Sequence, residues 1–311
     1  MTTATFFAFT YLFMSSLLVS AHPVVVDLSP RPPSTQGSLQ APSVGQPNAT
    51  RGIHSLQDLF DGNTRFRQSA RVDAQKLANE EPSFMFLGCT DNRLSPGSIF
   101  NAPAGSILAH NNIGNQYSPK DASAESAIAY AVEDLHVQHI IVLGHYGCKG
   151  AETAITGSNN ASRYIRNWVK SITELYTTSR RREIVILRDS RKPKRGRDAG
   201  VKTPPPASDA GFRALVEENV KRTVDELQKS AVLTEAYKKN NSGYHTFVHG
   251  FVYDEVTGVV HDLGISFGPR GVPIPHVPFK ALAAARNYHR GNDRPHISKG
   301  KSWEFSSYFN S

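Results

Sequence analysis

The sequence predicts an α/β fold: a mostly parallel central sheet, four parallel strands plus an antiparallel edge strand from a hairpin, flanked by helices. Three observations carry this. Short apolar runs recur at 84–87, 106–109 and 139–143, the pattern of strands buried on both faces. Between the last two, Ala124, Ile128, Ala131, Val132 and Leu135 repeat at helical spacing, supplying the crossover that parallel strands need. Near the end, residues 244–253 and 259–263 flank Asp254-Glu-Val-Thr-Gly258, which reads as a hairpin with a five-residue turn.

In chain order, residues 1–21 carry no charged side chain and end in Val19-Ser20-Ala21, a signal peptide cleaved after Ala21 and the basis for expecting a secreted protein. Residues 22–50 are rich in Pro, Ser, Gln and Gly and are read as a disordered leader. Asn48, Asn160 and Asn240 each begin a glycosylation sequon, consistent with a glycoprotein on that route. The folded domain spans 51–268. It opens with Ser55 as N-cap of a helix carrying Leu56, Leu59, Phe60 and Phe66. Further helices are expected at 162–177 and 212–239, the second with Leu215, Val216, Val220, Val224 and Leu227 on one face. A basic insertion, 178–206, separates them. Residues 269–311, rich in Pro, Lys and Arg, form a C-terminal extension, read as wrapping a partner subunit.

Composition narrows the function. The chain has 311 residues, 39% hydrophobic and 20% charged, which excludes wholesale disorder and a multi-spanning membrane protein. Two cysteines exclude a disulfide-stapled scaffold. The formal charge of +8 raises a nucleic-acid or membrane binder. Between Arg180 and Lys202, however, ten basic residues stand against three acidic ones, so +7 of the total sits in one segment. That segment has Pro and Gly and no interleaved aromatics, so it is read as a solvated loop, and no nucleic-acid partner or membrane span after signal cleavage is expected.

Ligands of an open parallel sheet gather at the carboxyl ends of its strands. After the first strand stands Gly88-Cys89-Thr90-Asp91-Asn92-Arg93, and after the third Gly144-His145-Tyr146-Gly147-Cys148. If those strands are neighbours, Cys89, His145 and Cys148 converge as two thiolates and an imidazole with a fourth position open, a set that suits catalytic zinc. The alternative is one disulfide between Cys89 and Cys148, or two buried thiols beside an unrelated histidine. A disulfide has no use for His145 or for the carboxylate and guanidinium after the first cysteine, which favours the metal. Asp91 is free either to pair with Arg93 or to swing onto the cation.

Cys89-x-Asp91-x-Arg93 followed by His145-x-x-Cys148 resembles the β-class carbonic anhydrases. The likeness extends to residues 59–66, to His110-Asn-Asn-Ile-Gly-Asn115 and to Val248-His-Gly-Phe-Val-Tyr-Asp254, spanning roughly 53–268. It implies the fold of that family and reversible hydration of carbon dioxide to bicarbonate by zinc-bound hydroxide. By motif position, Cys89, His145 and Cys148 are the zinc ligands, and Arg93 holds Asp91 off the metal so that Asp91 orients the hydroxide. It also implies a homodimer or dimer of dimers. Three departures stand out: Glu80 where members carry Gln, Lys149 where a glycine usually follows the second cysteine, and Phe86, Asn111 and Tyr130 at the Trp, Arg and Tyr positions of an inhibitory bicarbonate pocket. The last of these, a pocket without its cation, implies a permanently open enzyme. His110 and His249 are expected to make structural hydrogen bonds, Tyr164 and Trp168 to lie in the core or an interface, and Lys149 to point to solvent. Two alternatives stand beside this reading: a carbon disulfide or carbonyl sulfide hydrolase on the same fold, and a non-catalytic secreted polyanion binder.

Overall fold

The structure, a computed structural model of the single chain, describes residues 54–69, 81–157, 161–193, 202–239 and 245–282. The signal peptide and leader, the three sequon asparagines, Glu80, the middle of the basic segment and residues 283–311 lie outside the described residues. The chain divides into two units, Met1–Phe66 and Arg67–Ser311. Of the first, the structure describes the start of helix α1, Leu56–Ser69. Its entry is a reciprocal cap: Ser55 Oγ accepts from the Asp58 amide at 3.1 Å, and Asp58 Oδ2 accepts from the Ser55 amide at 2.8 Å. Leu56, Leu59, Phe60 and Phe66 are exposed in the single chain.

The second unit is built on five strands: β1 Phe84–Cys89, β2 Ile107–Asn112, β3 His139–His145, β4 Phe247–Asp254 and β5 Val259–Phe267. Their order is β2-β1-β3-β4-β5. The first four are parallel, and β5 runs antiparallel to β4 through the expected hairpin. From β1 the chain moves outward to β2 and then crosses back to β3 on the other flank. The crevice between β1 and β3 is therefore the switch point at which open α/β sheets bind ligands.

The helices are α2 Pro96–Ile99, α3 Ala122–Ala129, α4 Lys149–Thr156, α5 Arg163–Trp168, α6 Lys170–Thr178, α7 Arg182–Ser190, α8 Ala210–Leu227 and α9 Ala231–Lys238, with a π-helical turn at Tyr130–Asp134. Helix α8 buries Phe212, Leu215, Val216, Val220 and Val224. Each such side chain contributes about 1.5–3 kcal/mol, well above a typical exposed ion pair, so packing fixes which face of α8 turns inward.

Three expectations are corrected in detail. The helix expected over 162–177 breaks at Val169, because the Trp168 carbonyl accepts from Gln116 Nε2 at 3.2 Å while the Trp168 indole donates to the Ile113 carbonyl at 2.8 Å. The helix expected over 212–239 stops at Leu227 and restarts after Ser230, whose buried hydroxyl caps α9 by accepting from the Leu233 amide. The basic segment is not simply a solvated loop. Within it α7 buries Ile184 and Leu187, Arg181 pairs with Glu217 at 2.6 Å and Glu218 at 3.1 Å, and Arg188 Nη1 donates to the carbonyls of Tyr176, Thr177 and Ser179. Those carbonyls end α6, where a cation also answers the helix dipole.

The start of the C-terminal extension lies on its own chain's sheet. The Asp262 amide donates to Lys280 O and the Leu282 amide to Asp262 O, both at 3.1 Å, while Phe279 packs edge-on against Phe100 and Phe251. On β4, His249 makes the structural bonds expected of it: its Nε2 lies 3.1 Å from His139 Nδ1 and its Nδ1 2.9 Å from Ser266 Oγ. His110 sits on β2 opposite Leu87.

Two outcomes follow from this packing. A Cβ on Gly211 would stand 2.5 Å from the backbone oxygen of Glu183 and 2.4 Å from Leu187 Cβ, so Gly211→Ala is expected to cost about 2 kcal/mol of stability in urea unfolding. Burial, with His139 adding to it, depresses the His249 pKa from 6.5 to about 3. The unfolded chain takes up this proton near the upper value and the folded chain only near the lower. Stability is therefore lost as pH falls through that window, with a slope approaching about 1.4 kcal/mol per pH unit. His249→Asn should flatten that slope in denaturant midpoints measured across the window.

Candidate metal centre

Cys89 is the last residue of β1, His145 the last of β3, and Cys148 the residue that enters α4. Pairing of β1 with β3 brings them together: all three are buried, and one ligand atom from each lies within 4.8 Å of the others. The two sulfurs are 3.8 Å apart and both thiols are free, far from the roughly 2.05 Å of a disulfide. Two thiolates at about 2.3 Å from a tetrahedral zinc would stand about 3.8 Å from one another. Neither ring nitrogen of buried His145 has a hydrogen-bond partner among the described residues, an orphaned state that a metal bond relieves.

The electrostatics agree. Cys89 is pulled well below the usual thiol range by a hydrogen bond from Cys148, against the opposing effect of burial. Cys148 is pushed well above its usual range by the same bond and by its own burial. Ionisation of one sulfur thus opposes ionisation of the other, and a cation between them would relieve that opposition. Backbone donors prepare for that charge: the Gly114 amide points at Cys89 Sγ at 3.3 Å, and Gly150 and Ala151 amides face Cys148 at the first turn of α4.

Asp91 and Arg93 follow β1 in a turn closed by the Leu94 amide on the Asp91 carbonyl at 3.0 Å. Arg93 grips Asp91 with both edges of its fork, Nε to Oδ1 at 2.8 Å and Nη2 to Oδ2 at 2.7 Å. That grip lowers the Asp91 carboxyl to about 2, so it is ionised throughout the physiological range. Its Oδ2 stays 3.8 Å from His145 Nε2. Asp91 thus stands beside the ligand cluster, in the paired arrangement rather than the swung one.

The sequence reading did not single out the residues that hold these groups in place. Helix α8 reaches both halves of the cluster. Asn219 Nδ2 donates to the Gly114 carbonyl at 2.7 Å, fixing the loop whose amide meets Cys89. Glu217 Oε1 accepts from the Tyr146 hydroxyl at 2.9 Å, fixing the residue between His145 and Cys148, and the Arg213 guanidinium lies 3.4 Å over the Tyr146 ring. Arg213 in turn pairs with Asp254 at 2.9 Å. Glu255, next in the β4–β5 turn, accepts from Arg93 Nη1 at 2.6 Å. Register was the signal available for the turn: Tyr253 sits opposite His145, which carries residues 254 and 255 to the site.

The remaining predicted positions fall as follows. Lys149 is exposed and paired with Glu152 at 2.8 Å, as expected of a solvent-facing lysine. Phe86 packs against Phe100, Asn111 Oδ1 fills the space above Gly88, and Tyr130 is half exposed on the π turn. Tyr164 is exposed and Trp168 partly so, so neither is core in the single chain.

The family model described as carbonic anhydrase matches residues 84–260. A carbonic anhydrase of Emericella nidulans is 30% identical over 224 residues, covering 70% of this chain and 88% of that protein. Among solved structures, a Coccomyxa β-carbonic anhydrase in complex with acetazolamide aligns with a TM-score of 0.55 at 24% identity, over 68% of this chain and 87% of that one. A tetrameric β-carbonic anhydrase of Sordaria macrospora aligns with a TM-score of 0.54 at 20% identity, over 68% and 95%.

Replacing Tyr146 by Phe removes the bond to Glu217 and leaves a buried carboxylate one donor short. Tyr146→Phe is expected to weaken zinc retention about ten-fold in competition with a chromogenic chelator, with the secondary structure unchanged by circular dichroism.

Proposed function

The chain belongs to the β-class carbonic anhydrases, and from that membership and its site we propose that it hydrates carbon dioxide reversibly with zinc held by Cys89, His145 and Cys148. The observation that carries the reading is the Asp91–Arg93 pair set against a cluster of three ligands with no fourth from the protein among the described residues. A closed structural site would have filled that position and has no need of such a pair. Bound there, zinc supplies a water ionised near neutral pH as the nucleophile.

The chain's own residues do the rest. Arg93 keeps Asp91 ionised and paired, with Oδ2 3.8 Å from His145 Nε2, where it would serve as a hydrogen-bond acceptor beside the three ligand side chains. An acceptor fixed there leaves the nucleophile one proton to donate to it and directs its lone pair towards carbon dioxide. Since Asp91 stays ionised down to about 2, it acts as acceptor and not as proton donor; the proton released in each cycle goes to solvent or buffer. The tetrameric relative from Sordaria macrospora supports assembly as a homodimer or dimer of dimers.

Stopped-flow hydration of carbon dioxide with a pH indicator tests this. The zinc-loaded chain should be active, removal of zinc by a chelator should abolish activity and reloading restore it, and Asp91→Asn should lose about 100-fold in kcat/KM. Full activity without zinc, or sulfide release from carbon disulfide in place of carbon dioxide hydration, would refute the assignment.

A further inference from the structure

Arg93 is gripped from three directions. Asp91 takes Nε and one N–H of Nη2, the Gly147 carbonyl accepts from Nη2 at 2.9 Å, and Glu255 accepts from Nη1 at 2.6 Å. Four of the five donors of the guanidinium are therefore engaged, on three separate segments of chain. Two of those segments belong to the site already: the turn after β1 and the loop that carries His145 and Cys148. The third, the β4–β5 turn, has no part in the reaction as assigned above, yet it delivers the shortest of the four bonds.

The fit around Glu255 is close. Gly147 has φ +75°, and a Cβ there would stand 2.9 Å from Glu255 Oε1 and 3.4 Å from Arg93 Nη1. Only a glycine accommodates both the backbone conformation and the approach of this ion pair. The next residue back along the turn, Asp254, holds Arg213 over Tyr146, so the turn contacts both sides of the metal loop. Glu255 is largely buried and Arg93 partly exposed, a setting in which a charged hydrogen bond is not fully screened by water.

We propose that Glu255 is a positioning residue: it pins the outer edge of Arg93, and thereby keeps Asp91 beside the metal position as an acceptor instead of letting it become the fourth ligand. This rests on the zinc assignment above. Among the described residues, Arg93 is the sole hydrogen-bond partner of the Asp91 carboxylate, apart from its 3.8 Å approach to His145. Arg93 released from Glu255 is free to turn, and a carboxylate released from Arg93 is already within a short rotation of the ligand cluster.

The test uses the full chain loaded with cobalt(II) in place of zinc, and azide as the probe of the open position, read by visible absorption. Glu255→Gln is expected to bind azide about ten-fold more weakly than the parent at neutral pH, because the Asp91 carboxylate now competes for the same position. Simple electrostatics predicts the opposite sign, since removing a negative charge favours an anion. In an Asp91→Asn background the same substitution should no longer weaken azide binding. Azide affinity that is unchanged or tighter in Glu255→Gln, an equal weakening in the Asp91→Asn background, or loss of bound cobalt would each overturn the proposal. If Glu255→Gln does not fold, Glu255→Ser carries the same comparison. Failure of the parent to hydrate carbon dioxide would sink the functional assignment and leave the azide comparison readable.

Discussion

Two thiols and an imidazole buried within 4.8 Å of one another form a group that the protein interior tolerates only in particular charge states. Without a cation each sulfur's ionisation opposes the other's. With one, both could ionise, and the buried charge would be balanced by the ion rather than by a partner side chain. Much of the surrounding structure serves that requirement. The parallel pairing of β1 with β3 brings the ligands from sequence positions 56 and 59 residues apart to one sheet edge. Backbone amides at Gly114, Gly150 and Ala151 face the sulfurs, and such donors stabilise a thiolate without adding a competing ligand.

Helix α8 joins these parts. Its apolar side chains bind it to the sheet, and its polar residues at 217 and 219, themselves buried, reach the two loops that carry the ligands. The burial of Glu217 is made tolerable by Arg181 at 2.6 Å, which comes from the basic segment. A stretch that looks from its composition like a surface feature therefore supplies a counter-charge to the support of the metal loop. The ion pair is not an independent source of stability, since an equally large apolar pair would often do as well. Its value here is geometric, because it holds Glu217 as the acceptor for Tyr146.

The sheet, its mixed character and the convergence of Cys89, His145 and Cys148 were legible in the sequence because their signals are local. Strand runs end directly in Cys89 and His145, and Asp91, Arg93 and Cys148 lie within four residues of those ends. The supporting residues are remote: Arg93 and Glu255 are 162 positions apart, Tyr146 and Glu217 are 71 apart, and no period or motif connects them. Helix interruptions were hidden for a related reason. Val169 and Ser230 each sit inside an acceptable helical pattern, and tertiary hydrogen bonds interrupt it there: Gln116 Nε2 donates to the Trp168 carbonyl, and the Ser230 hydroxyl donates to the Glu125 carboxylate. Helix α7 was obscured by its own charge. Only Ile184 and Leu187 are fully buried in it, while Arg181 and Arg188 beside them are spent on internal partners.

The segment that returns along β5 bears on how the sheet meets other molecules. A strand at the rim of a sheet offers unpaired amides and carbonyls to any extended chain that passes. At Asp262 those groups are already taken by Lys280 and Leu282 of the same chain, and Phe279 covers the neighbouring aromatic face. The β5 rim is thus sealed at its middle, where a foreign strand would have to displace bonds already made. A second molecule that adds strand to strand finds β2, at the opposite rim, without such a cover among the described residues. The sheet is consequently directional in what it can accept, and growth by stacking edges in both directions, the route to fibrous aggregates, is blocked on one side by the chain's own tail.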